Sequence, residues 1–119
     1  MDKILEQALL YDFYGELLTD HQKSIYEDFV LNDFSLSEIG EDRKISRQGV
    51  YDIIKRCDRL LNSYEDKLHL VQKFLTAKDQ VAKIHEFAGE ILKTEDIPET
   101  STEYLRQIES ISNSILEEM

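Results

Sequence analysis

The chain has 119 residues, 41% of them apolar and 33% charged, with a net charge of −11. That length gives one domain, or one domain with a helical extension, and the composition can bury a core, which excludes a compositionally disordered chain. No run approaches the roughly 18 apolar residues of a membrane span, and so acidic a balance argues against nucleic-acid affinity spread over the whole surface.

The opening stretch MDKILEQALL lacks a basic leader followed by an apolar block, so no signal peptide is expected. Ile4, Leu5, Ala8, Leu9, Phe13 and Leu17 recur at three- and four-residue steps. This predicts a first helix with those residues on its inner face and Tyr11 and Tyr14 bordering it. Gly15 predicts a break or a close crossing. A second helix starts at Thr19, which forms a capping box with Gln22, with Leu18 as the preceding staple and Asp20 at the positive helix end. Ile25, Tyr26, Phe29 and Val30 supply its apolar face, and Asn32 and Asp33 end it. His21 has no second His or Cys at ligand spacing, which gives no metal site.

The stretch from Ser35 to Leu61, SLSEIGEDRKISRQGVYDIIKRCDRLL, reads as two short helices joined by a tight turn. That is the layout of a helix-turn-helix. Leu36 and Ile39, Ile45 at the turn, and Val50, Ile53 and Ile54 form an apolar wedge, with Gly40 where the helices approach most closely. Ser35 and Glu38 make a capping box, and Ser46 is an N-cap for the helix starting at Arg47. Between Arg43 and Arg59 lie six basic residues (Arg43, Lys44, Arg47, Lys55, Arg56, Arg59) and two acidic ones (Asp52, Asp58), a balance of +4, so the other 102 positions carry −15. A positive face on a negative body coincides with the motif that can use it. Arg47, Gln48, Tyr51 and Lys55 fall on the groove-facing side of the second helix, where Arg and Gln can make bidentate base contacts. Lys44, Arg56 and Arg59 suit phosphates, and Ser46 completes the candidate nucleic-acid-binding set. Cys57 is alone, which excludes an internal disulfide and fits a reducing cytoplasm.

From Tyr64 to Lys93 the pattern predicts one long helix, or two nearly continuous ones, with an apolar stripe through Leu68, Val71, Leu75, Ala82, Ala88 and Leu92. His69 and His85 lie on it as structural or interfacial residues. Pro98 interrupts the helix, and Thr100 with Glu103 is expected to cap a last one bearing Leu105, Ile108, Ile111 and Ile115. No segment alternates like a strand, and no phosphate loop, nucleophile elbow, zinc-protease motif or Cys/His cluster is present. The expectation is an all-α, non-enzymatic protein without cofactor. Its helix-turn-helix core spans 1–64, and a helical extension, 65–119, serves for oligomerisation as a homodimer.

Phe13-Tyr14-Gly15 with Leu17-Leu18-Thr19, Asp33 to Ile39, Ile45-Ser46-Arg47-Gln48, Val50-Tyr51-Asp52, Ile54-Lys55-Arg56 and Tyr64-Glu65-x-Lys67-Leu68 together resemble the YlxM-type helix-turn-helix proteins of Gram-positive bacteria. These look like the fourth region of bacterial sigma factors. The resemblance implies a cytoplasmic regulator linked to the signal recognition particle pathway, with no enzymatic activity. Its partners would be DNA or the particle's RNA, and possible contact with the particle protein is implied too. Family members usually carry Ala at positions 40 and 49 and Gly at position 44. A non-Gly residue at positive φ costs about 1–2 kcal/mol, so Lys44 implies strain or a different turn. Three classes of function follow: a nucleic-acid-binding regulator, a protein-interaction module of the targeting pathway, and a structural dimer that keeps the motif as a packing unit.

Overall fold

The computed structural model describes residues 2–119 and is all-α. Its helices are α1 (Lys3–Tyr14), α2 (Asp20–Val30), α3 (Leu36–Arg43), α4 (Arg47–Leu68), α5 (Leu70–Leu92) and α6 (Glu99–Glu118), with a 3-10 turn at Gly15–Leu17 after α1. The chain divides into two compact units, Met1–Val71 and Gln72–Met119.

In the first unit α4 packs against α1, α2 and α3. Tyr14, Tyr26, Ile25, Ile39, Leu61, Val50 and Cys57 are its fully buried side chains. The buried face of α1 is not the aliphatic stripe expected from periodicity. Gln7, Leu10, Tyr11 and Tyr14 face inward, while Leu5 and Leu17 are 58% and 57% exposed. The tyrosines turn inward because each phenol finds a carboxylate on another helix, which a buried hydroxyl needs. Tyr11 donates to Glu27 of α2. Tyr14 donates to Glu65 Oε1 of α4 at 2.6 Å, and Tyr26 of α2 donates to Asp58 Oδ1 of α4 at 2.6 Å. Gln7 Nε2 adds a second bond to Asp58 Oδ1 at 3.0 Å. Three helices are thus tied by a buried polar lattice, and burial raises the pKa of all three phenols.

α1 gives way to the 3-10 turn at Gly15, which leaves room for the Tyr11 ring, since a Cβ there would lie 2.7 Å from it. The capping boxes predicted for α2 and α3 form. Thr19 accepts from the Gln22 amide at 3.2 Å while the Gln22 side chain accepts from the Thr19 N–H at 3.0 Å. Ser35 and Glu38 repeat that reciprocal pair at α3.

α4 does not end near Leu61. It runs through Tyr64 to Leu68 and stops at His69, whose φ of 56° is left-handed. Here the Tyr14–Glu65 pair anchors the chain again: Leu70 N–H donates to Tyr14 Oη at 3.1 Å and Val71 N–H to Glu65 Oε1 at 3.0 Å.

The second unit is an antiparallel helical pair of α5 and α6. His85 Nδ1 lies 3.1 Å from both Ser112 Oγ and the Glu109 carbonyl, and Gly89 lies opposite Glu109. Ala88 and Ser112 are buried. Ile84, Phe87, Ile91, Ile108 and Ile111 remain substantially exposed. The cap expected from Thr100 and Glu103 does not form. α6 begins directly after Pro98, whose ring fixes the entry conformation, and no side chain caps it.

Candidate nucleic-acid interface

The helix-turn-helix is α3, a turn at Lys44–Ser46, and the first part of α4. Ile39, Val50 and Ile54 of the wedge are buried, and Leu36, Ile45 and Ile53 are half-buried. Gly40 sets how closely the turn approaches α3, since a Cβ on it would stand 2.6 Å from the Ile45 carbonyl oxygen. Lys44 caps α3 at φ 59°, ψ 43°, the left-handed region that favours glycine. Its amide is satisfied by the Gly40 carbonyl. The strain implied by Lys44 is therefore present, and the turn keeps its left-handed form. Ser46 accepts from the Gly49 amide at 2.9 Å and starts α4 as predicted.

Buried Val50, Ile54, Cys57 and Leu61 mark the inner face of α4. Helical spacing then puts Gln48, Asp52, Lys55 and Arg59 on the opposite, outward face, with Arg47 and Tyr51 on one flank and Arg56 on the other. Lys44, Ser46, Arg47, Gln48, Tyr51, Arg56 and Arg59 are exposed and Lys55 is half-buried. Among the described residues, none of Lys44, Arg47, Lys55, Arg56 and Arg59 takes part in an ion pair. Lys55 Nζ sits 5.5 Å from the centre of the Tyr51 ring, a cation–π arrangement that holds the two together.

Arg43 belongs to a different set. It pairs with Asp28 Oδ2 at 2.7 Å, with both side chains less than a quarter exposed, and ties α3 to α2. Its charge is spent within the fold, and the free positive surface begins at Lys44.

Two clefts flank α4. One, of about 950 Å³, lies between α1 and α4 and is lined by Lys3, Glu6, Lys55, Asp58 and Arg59 among others. It adjoins a smaller cleft of about 210 Å³ with Ile4, Phe29, Leu36 and Ile54 at its floor. On the other flank Thr19, His21 and Gln22 from the start of α2 face Arg56 and Arg59 across a cleft of about 560 Å³. Asp52 lines both of the larger clefts, so it stands on the crest between them. Lys3, His21 and Gln22 were missed as neighbours of the site, because no local spacing links them to α4. The bond from Gln48 Nε2 to Asp52 Oδ1, 3.0 Å, was legible in principle as an i, i+4 pair.

Cys57 lies on the inner face of α4, fully enclosed. Burial, with a smaller contribution from Asp58, pushes its thiol up to about 11, which leaves it protonated and unreactive at neutral pH. Among the described residues no group of three or more His, Cys, Asp or Glu could hold a metal ion, and no helix is long and apolar enough to cross a membrane.

A wedge of this form, a capped second helix and free cations on its outer face define a helix-turn-helix protein. The sequence pattern of the family described as "Putative helix-turn-helix protein, YlxM / p13 like" matches residues 1–101, and the chain belongs to that family. It is 53% identical over 85 residues to a UPF0122 protein of Caldanaerobacter subterraneus subsp. tengcongensis, covering 71% of this chain and 73% of the relative. A Thermoanaerobacter UPF0122 protein is 44% identical over 114 residues, 93% of this chain and 97% of its own. The UPF0122 protein YlxM of Bacillus subtilis is 43% identical over 97 residues, 82% of this chain and 88% of its own.

Proposed function

We propose that this protein is a regulatory nucleic-acid-binding module that places the first part of α4 in the major groove of duplex DNA. The observation that carries the reading is the set of cations on the outward side of α4, none of them ion-paired among the described residues, on the helix that a helix-turn-helix uses for recognition. Arg47, Gln48, Tyr51 and Lys55 reach base edges, while Lys44, Ser46, Arg56 and Arg59 hold the backbone. The cytoplasm is the compartment that fits this role, and the signal recognition particle pathway is the proposed setting.

A gel-shift titration across salt tests it, with duplex DNA and with particle RNA as separate arms. Retardation that weakens steeply with salt, and a shallower salt slope for Arg56→Glu, is expected, since each phosphate contact adds about 0.9 to the slope. No retardation of either at low salt overturns the reading.

The exposed apolar residues of α5 and α6 support a homodimer, which would present two copies of α4 to two half-sites. Residues 65–119 are the extension proposed to carry it. Light scattering at micromolar concentration that returns the monomer mass of 14.0 kDa would overturn this.

A protein-interaction module of the targeting pathway is the second reading. The small apolar cleft floored by Ile4, Phe29, Leu36 and Ile54 favours it. A pull-down with particle protein tests it, and recovery unchanged by Arg47→Glu and Lys55→Glu argues against contact through α4.

A further inference from the structure

We infer that Asp52, held in place by Gln48, acts as an acceptor-only reading head, which selects a base carrying an exocyclic amino group (cytosine or adenine) at one position of the contacted strand. The inference rests on the duplex-DNA reading above. Asp52 is an anomaly on the surface that reading uses. It is exposed, stands on the outward crest of α4 between the two larger clefts, and has Lys55, Arg56 and Arg59 within the next two turns. Yet none of those cations neutralises it: among the described residues its hydrogen-bond partner is Gln48, and it makes no ion pair. Lys55 leans over the Tyr51 ring instead.

A carboxylate there repels phosphates and weakens binding to any nucleic acid, so its use must lie in what it discriminates. The hydrogen bond decides the chemistry. A carboxylate accepts but does not donate, so the Gln48 amide must turn its NH2 toward Asp52, as it does at 3.0 Å. Gln48 keeps Oε1 as an acceptor and its second N–H as a donor. A free Gln both donates and accepts, and so pairs bidentately with adenine N6 and N7. This one has one of its two N–H donors engaged by Asp52, which holds the carboxylate in place. The Asp52 carboxylate then presents oxygen acceptors alone. In the major groove cytosine N4 and adenine N6 offer hydrogen to such a surface, whereas guanine O6 and N7 and thymine O4 oppose it with lone pairs. Arg47, one residue away and unpaired, is suited to the opposite preference, guanine, at a neighbouring position.

The test is a selection from randomised duplex DNA with the full chain and with Asp52→Asn and Gln48→Ala, followed by competition among four duplexes that differ at the selected position. Both side chains are exposed, so circular dichroism should show all three proteins equally folded. The unmodified chain should favour cytosine or adenine at one position by roughly five- to a hundredfold over guanine or thymine. Asp52→Asn, which removes a negative charge and supplies a donor, should bind random duplex more tightly and admit guanine or thymine at that position. Gln48→Ala should lower the discrimination without that gain in general affinity. Binding by all three proteins with an unchanged base profile overturns the reading head and leaves the duplex reading standing. Binding of structured RNA but not duplex DNA overturns both, because the narrow A-form major groove keeps these side chains from base edges. No binding to either sinks the underlying reading, and this inference with it.

Discussion

The two compact units solve the burial problem differently. The first encloses seven side chains completely and links its helices through Tyr11–Glu27, Tyr14–Glu65 and Tyr26–Asp58. The second is a helical pair whose buried residues are small, Ala88 and Ser112, while Phe87 is 61% and Ile111 59% exposed. A pair of helices has no third element to close over its apolar face, whereas four packed helices do. The first unit is therefore rigid and self-sufficient enough to hold a recognition helix, and the second has surface left for association.

The comparison can be broken most forcefully with alkali. The phenols of Tyr11, Tyr14 and Tyr26 and the Cys57 thiol all have pKa values raised by burial, from ordinary values of 10.0 and 9.0. The folded state thus keeps protons that the unfolded chain releases. Their contribution is fully present below about pH 9 and is lost as pH rises through the unfolded values and beyond. Thermal melts should show stability falling steeply above pH 10. Stability that stays level to about pH 11 would contradict the lattice.

Next in size is truncation. Ile39→Ala, at a side chain with no exposure, should cost about 2–5 kcal/mol in urea unfolding. Ile111→Ala should change monomer stability by less than about 0.5 kcal/mol and, if the dimer proposal holds, lower the mass seen by light scattering. Comparable losses from both would erase the distinction between the units.

Within the first unit, the two tight positions should respond with opposite sign. Gly40→Ala drives a Cβ against the Ile45 carbonyl, and overpacking of this kind costs about 1–3 kcal/mol. Lys44→Gly relieves the left-handed strain and should raise stability by about 1 kcal/mol in the same assay. It should also weaken nucleic-acid binding slightly through loss of one cation. A destabilising Lys44→Gly would mean the lysine side chain supports the turn.

Local chemistry was legible from the residues. The capping boxes at Thr19 and Ser35, the N-cap at Ser46 and the small residue at Gly40 each depend on neighbours within a few positions, and each forms as read. The inner face of α1 was misread because the helix has apolar residues on two sides. Periodicity favours the aliphatic side, yet the tyrosine side is buried because its hydroxyls meet Glu27 and Glu65. Likewise Arg43 looked like part of the basic surface until Asp28 was found beside it.

By itself, then, the sequence determined the helices, the caps of α2, α3 and α4, the helix-turn-helix and the concentration of positive charge on α4. These follow from hydrogen-bonding and spacing rules that operate over one or two helical turns. Tertiary structure alone decided which face of α1 is core, which arginine is structural, how far α4 extends, and which residues of α1 and α2 border the recognition helix. Those outcomes depend on which carboxylate, phenol or apolar side chain arrives from a distant part of the chain, and a pattern along one helix carries no record of it.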